Sequence, residues 1–309
     1  MKLKLFVVFI SSALCAFLAT ASPASEAYKM IDLGVSGDSM AFSINSNEQV
    51  VGRRMSGGSF LWQNGSLQTL GGIARAINDS AQVVITAGSE TYLWQSGSLQ
   101  DIGAGDAIAI NSSTQILMSS YAGDALLWQS GVTADIGAFS PLGLNDSGQI
   151  LGFDGGALIW QAGSVQYLGS DIGYAYAINN LAQVAAAERS NGHIVMWQNG
   201  SVQDLGLDSM VYHPVSINDD GQLVGWTNSG DMWVWQGGNT ALLDPTPGYT
   251  FLSPEAMNDN GWICGEATDS SGMDHTVLWE PIPEPSSLIA LALGLLPLAG
   301  VWRRRMQAP

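Results

Sequence analysis

The chain has 309 residues, 46% hydrophobic and only 12% charged, with a formal net charge of −17. Between Glu26 and Glu284 all 27 acids face only five bases, Lys29, Arg53, Arg54, Arg75 and Arg189, a net of −22. A surface of that sign repels phosphate backbones and excludes nucleic acid as a partner.

The first element is a leader. MKLKLFVVFISSALCAFLATA sets Lys2 and Lys4 ahead of an apolar run over 5–18, with small residues at Ala19 and Ala21. This is the pattern of a secretory signal peptide over 1–21, cleaved after Ala21. Leu14 precedes Cys15, where a lipoprotein signal would have a small residue. Cleavage leaves Cys264 alone, so the exported protein is expected to hold no internal disulfide and to depend on packing.

From residue 28 onward one phrase recurs: Ile44-Asn45, Ile77-Asn78, Ile110-Asn111, Leu144-Asn145, Ile178-Asn179, Ile217-Asn218 and Met257-Asn258. The asparagines are 33, 33, 34, 34, 39 and 40 residues apart, and each is followed by a tryptophan, at 62, 94, 128, 160, 197, 235 and 279. Seven units of this period predict one repetitive architecture rather than separate domains. In the first unit, strands are expected over 41–45, 49–52, 59–63 and 66–71. In the first five units the turn after the tryptophan carries a glycine that tolerates positive φ, as in Asn64-Gly65 and Asn199-Gly200. NDSGQ at 145–149 and NDDGQ at 218–222 join the first strand to the second.

Four strands per unit match a propeller blade. The seventh unit stops at its third strand, HTVLWE (275–280), while YKMIDLG (28–34) resembles a fourth strand such as VQDLG (202–206). Pairing the two would close the ring and hide two sheet edges. The expected fold is therefore an all-β, seven-bladed β-propeller over 28–282, closed by the N-terminal strand. Ala41, Ala76, Ala109, Ala177 and Ala256 would fit the crowded channel rim, and the tryptophans would fill the space between blades.

These units resemble the HAF repeats of bacterial extracellular proteins, on the Ile-Asn strand, the Val-Val-Gly-like strand, the Phe-Leu-Trp strand and the closing Leu-Gly. The three-letter signature is only echoed, as Ser59-Phe60 or His275-Thr276-Val277, and the second strand lacks its final glycine in units two, three and five. The resemblance implies an exported β-rich module, without an activity.

Candidate sites must break the repeat. His193, His213, His275 and Cys264 fall in different units, so no metal ligand set is expected, and no catalytic motif or cofactor signature occurs. The Asn-Asp-x-Gly phrases superficially resemble calcium loops but lack the alternating ligand spacing, and are read as turns. Tyr212, Trp226, Trp233, Tyr249 and Trp262 lie outside the frame in the last two units and form the candidate surface for sugar or protein. An alternative is a polysaccharide-active enzyme in which two of Glu90, Glu188, Glu255 and Glu266 meet in the channel about 5–10 Å apart. A purely structural envelope protein is the third reading.

The last element is the tail: Pro283-Glu284-Pro285, an apolar stretch over 288–302, then Arg303-Arg304-Arg305. Fifteen residues make a helix of about 22 Å, short for a hydrocarbon core of about 30 Å. The arginines would stay on the cytoplasmic side. The order closely resembles the PEP-CTERM sorting signal. That resemblance implies a short transmembrane helix serving as a transient inner-membrane anchor, an exosortase-type processing partner, and a final place on the surface or in the matrix of a Gram-negative bacterium. It also suggests exopolysaccharide or another envelope protein as a partner.

Overall fold

The computed structural model describes residues 28–243 and 246–282. The proposed signal peptide, Pro283, Glu284, Pro285, the apolar tail and Arg303 to Arg305 lie outside the described residues.

A single strand, β1 (Tyr28–Asp32), precedes the repeats. Blade 1 holds β2 (Ser39–Ile44), β3 (Val50–Arg54), β4 (Ser59–Gln63) and β5 (Ser66–Leu70). Blade 2 holds β6 (Ile73–Ile77), β7 (Val83–Ala87), β8 (Glu90–Gln95) and β9 (Ser98–Ala104). Blade 3 follows as β10 (Asp106–Ile110), β11 (Ile116–Ser119), β12 (Ala125–Gln129) and β13 (Val132–Gly137). In blade 4 are β14 (Ser140–Leu144), β15 (Ile150–Phe153), β16 (Ala157–Gln161) and β17 (Ser164–Tyr167). Blade 5 has β18 (Ile172–Ile178), β19 (Val184–Glu188), β20 (His193–Gln198) and β21 (Ser201–Asp208). Blade 6 has β22 (Tyr212–Ile217), β23 (Leu223–Thr227), β24 (Met232–Gln236) and β25 (Asn239–Leu243). Only three strands remain for blade 7: β26 (Tyr249–Met257), β27 (Ile263–Asp269) and β28 (Asp274–Pro281).

Each blade is a four-stranded antiparallel meander, and blade 7 is completed by β1 in the order β26-β27-β28-β1. Tyr28 pairs with Pro281 and Asp32 with Val277. The seal continues past the strand, where the Leu33 amide donates to the Thr276 carbonyl at 3.0 Å and the Thr276 hydroxyl to Ser39 Oγ at 2.8 Å. The expected closure is thus observed. Asn64 and Gly65 both take positive φ, 48° and 78°, the backbone a two-residue hairpin needs.

The core is divided into seven clusters, each made by two neighbouring blades. Val51, Leu61 and Leu70 of blade 1, for example, meet Ala74, Ile77, Val83, Ile85 and Trp94 of blade 2. One repeat tryptophan belongs to every cluster: Trp62, Trp94, Trp128, Trp160, Trp197, Trp235 and Trp279. Every tryptophan therefore does fill an inter-blade space.

The alanines occupy two positions of the inner strand. Every inner strand carries a β-bulge three residues before its asparagine, at Phe42, Arg75, Ile108, Leu142, Tyr176, Val215 and Glu255. Ala41 lies on one side of the bulge, at a position filled by Ala or Pro in every blade. Ala76, Ala109, Ala177 and Ala256 lie on the other, where every residue is Ala, Ser or Gly. The glycine of the second strand answers the same crowding, since a Cβ on Gly52 would collide with the Met40 carbonyl oxygen.

Candidate functional site

The asparagine end of the channel is closed by a hydrogen-bonded belt. Asn45 Nδ2 donates to the Asn78 carbonyl at 2.9 Å, and the pattern continues blade by blade until Asn258 donates to the Asn45 carbonyl at 2.9 Å. Within each turn the same side chain also acts locally. Asn111 Oδ1 accepts from the amides of Ser113 and Gln115, and its Nδ2 donates to Gln115 Oε1.

The acids beside the belt are engaged in the same way. Asp79 accepts from the Ser46 amide, Asp146 from Ser112, Asp219 from Asn180 and Asp259 from Asp219, all at 2.8–2.9 Å. Asp79, Asp146 and Asp259 line a cavity of about 240 Å³. Burial raises the Asp259 carboxyl above its ordinary range. The Asn-Asp phrases are thus turns that also join blades. Among the described residues no group of three or more His, Cys, Asp or Glu side chains is arranged to hold a metal.

The opposite mouth differs from blade to blade. There the chain departs from its repeat at the bulge, at the residue two before it, and at the end of the second strand. In blades 4 to 6 aromatics take several of these places: Phe153 and Trp226 near the ends of second strands, Tyr176 at a bulge, and Tyr174 and His213 two residues before one. Phe153 lies 6.3 Å from Tyr174, which lies 5.2 Å from Tyr176, and His213 stacks on Trp226 at 4.1 Å. Between blades 4 and 5 a cleft of about 720 Å³ opens on the same end, lined by Asp154, Gly155, Gly156, Tyr167, Ile172 and Arg189, among others. The Arg189 guanidinium donates to the Gly155 carbonyl at 3.0 Å, and Tyr167 Oη to Asp154 Oδ2 at 3.4 Å. Tyr167 and Tyr174 are 56% and 47% exposed, so aromatic surface is open to solvent there.

In blades 7, 1 and 2 charged side chains take some of the equivalent places, with Phe42 at the bulge of blade 1. Glu255 and Arg75 occupy bulges, and Glu266 and Arg53 the second strands. Burial pushes the Glu255 carboxyl up to about 7. Glu266 is pushed up to about 8, by burial first and then by Glu255 and Asp274, with Arg53 opposing. Between them the Cys264 thiol is fully buried and driven far upward by the same desolvation.

The aromatics singled out from the sequence do not form one surface. Trp233 is fully buried, its indole donating to the Trp226 carbonyl at 3.1 Å, with Tyr212 edge-on at 5.6 Å. Trp226 is half-buried beside them. Tyr249 belongs to the closing seam, 5.6 Å from His275 and hydrogen-bonded to Asp32 at 3.3 Å. Trp262 lies at the other mouth, where its amide donates to Asn258 Oδ1 at 2.9 Å. Trp233 stands two residues before a repeat tryptophan, on the same face of its strand, so alternation alone would have buried it. Of the flagged acids, Glu90 accepts from the Ser89 hydroxyl at 3.3 Å and Glu188 from Asn191 Nδ2 at 2.9 Å, in blades 2 and 5. Only Glu255 and Glu266 come together.

Residues 281–305 match the PEP-CTERM protein-sorting motif. That motif marks an exported protein, anchored transiently at the membrane and processed by an exosortase before sorting to the cell surface. Among the described residues no helix is long and apolar enough to cross a membrane. No curated protein gives a significant match. Among solved structures, the Cps50 (Swd1) β-propeller domain of Myceliophteria thermophila superposes with a TM-score of 0.58 at 12% identity, covering 82% of this chain and 98% of that one. The extracellular domain of a putative hybrid two-component system from B. thetaiotaomicron gives 0.54 at 11% identity, over 81% of this chain and 42% of that one. YCF48 bound to D1 peptide gives 0.51 at 11%, over 84% and 96%. At such identities the likeness is one of fold alone.

Proposed function

We propose that this is a non-catalytic surface or matrix protein of a Gram-negative bacterium, built of HAF-like repeats, whose propeller binds exopolysaccharide at the mouth opposite the asparagine belt. The observation that carries the reading is the cleft between blades 4 and 5, where the exposed Tyr167 stands beside a glycine-rich floor and Arg189. A sugar ring presents apolar C–H faces and hydroxyl edges, and an exposed tyrosine next to fixed polar groups serves both. The sorting motif gives the address at which such a polymer would be met.

The test is co-sedimentation of the purified exported protein with exopolysaccharide from the producing cells, following polymer length. Binding at constant length, weakened about ten-fold or more by Tyr167→Ala, is expected. Shortened polymer would overturn the non-catalytic reading. No binding would leave a structural role in the envelope as the better account.

A further inference from the structure

Three of the five bases in an otherwise acidic domain gather in blades 1 and 2. Two of them, Arg53 and Arg75, place their guanidiniums over one aromatic ring, 5.9 and 5.4 Å from the Phe42 centroid. Like charges brought to one ring repel each other, and a carboxylate between them would relieve it. The domain has acids in excess, yet among the described residues no carboxylate lies within ion-pair distance of either guanidinium. The Nε atoms of both arginines are buried without a hydrogen-bond partner. Glu266 has an unpartnered Oε1 as well, and the residue is only 8% exposed. Desolvating polar atoms and leaving them unpaired is costly, so this sector is poorly built as mere core. It does suit a ligand that supplies an anion to the guanidiniums and hydroxyls to the carboxyls.

We propose that Arg53, Arg75 and Phe42, with Glu255 and Glu266, form a binding site for a uronic acid, a sugar that carries a carboxylate. A guanidinium fork matches a carboxylate in plane and spacing. Phe42 holds both guanidiniums beside one ring, and the two glutamates donate to or accept from the sugar's hydroxyls. The site deepens the exopolysaccharide reading by naming the residue type recognised, and it rests on that reading.

Anion binding favours neutral glutamates. The charged groups acting on Glu266 are Glu255, Asp274 and Arg53, and the strands around it, β26, β27 and β28, also carry Tyr249, Cys264, Asp269, His275 and Glu280. Glu255 and Glu266 are protonated below about 7 and about 8, and ionise above. Affinity for a uronate therefore falls as pH rises through that range.

The experiment is calorimetric titration of the exported protein with galacturonate and glucuronate oligomers, with neutral glucose oligomers and acetate as controls, at pH 6 and pH 9. Preference for the uronates, weakened about ten-fold or more by Arg75→Gln and less by Arg75→Lys, is the expected result. The loss of affinity at pH 9 should shrink in Glu266→Gln. Arg53→Gln provides a second variant should Arg75→Gln fail to fold. Equal binding of neutral oligomers, or of acetate as tightly as uronate, would overturn the proposal. So would uronate binding that no arginine variant weakens. Binding of neutral polymer that depends on Tyr167 alone sinks this site and leaves the general reading standing. Arginine-dependent uronate binding by a protein that ignores the native polymer does the reverse.

Discussion

Asn111 shows how much one side chain carries. Its oxygen holds two backbone amides of its own turn, and its nitrogen reaches both Gln115 and the carbonyl of Asn145 in the next blade. Asn111→Ala strands several buried groups at once, and is expected to cost about 2–4 kcal/mol. For a domain of this size that lowers Tm by on the order of 10 °C, measurable by calorimetry. A loss below 1 °C would mean the belt is ornamental. Glu266 makes a second case. Its folded pKa lies above the unfolded value, so the stability linked to its proton is complete below about 4.5 and is lost as pH rises through about 8. Wild-type Tm should fall between pH 5 and pH 8, and Glu266→Gln should fall less. Parallel curves would refute the assignment. The sequence displays the asparagine and the turn it makes, because those bonds span two to four residues. It hides the belt, whose partners are 33 to 40 residues away along the chain, and 213 at the closing bond, and adjacent only in the ring.

A strand can be legible by what it lacks. β28 has no following partner in sequence, and the spare strand at residue 28 fits it, so the closure could be read before any coordinates existed. Removing residues 28–34 would bare the outer edge of β28 and strip buried Leu33 and half-buried Ile31 from the cluster shared with blade 1. A steep fall in Tm is expected, and partial recovery when the peptide YKMIDLG is added in trans. An unchanged melting curve would show that the ring does not need its seal. The bulge could not be read in the same way. It shifts the register of every inner strand by one residue, and because all seven blades carry it the repeat length conceals it. Hence alanines that look alike in the sequence occupy two positions in the strand. Aromatics outside the frame misled for a related reason. Whether Trp233 or Tyr174 meets solvent depends on the strand face, and on how widely the loops at that mouth spread.

At the scale of the whole molecule, the two mouths divide the work. One is uniform, because every blade must make the same turn and the same bond to its neighbour. The other varies, with aromatics on blades 4 to 6 and unpaired charges on blades 7, 1 and 2. Repetition thus accounts for stability, and departures from repetition mark the candidate sites. The sequence shows those departures as residues, and only the ring reveals that Arg75 and Glu255, 180 positions apart, belong to one arc.

The pairing of β1 with β28 also sets an order of events. Lys29 and Glu280 lie 3.4 Å apart in the finished molecule, and 251 residues separate them along the chain. The ribosome makes the clasp's first half at the start of synthesis and its second half near the end. Until then six blades have formed at most, and the partial ring cannot lock. The last strand of the propeller to be made is the one that fastens the ring.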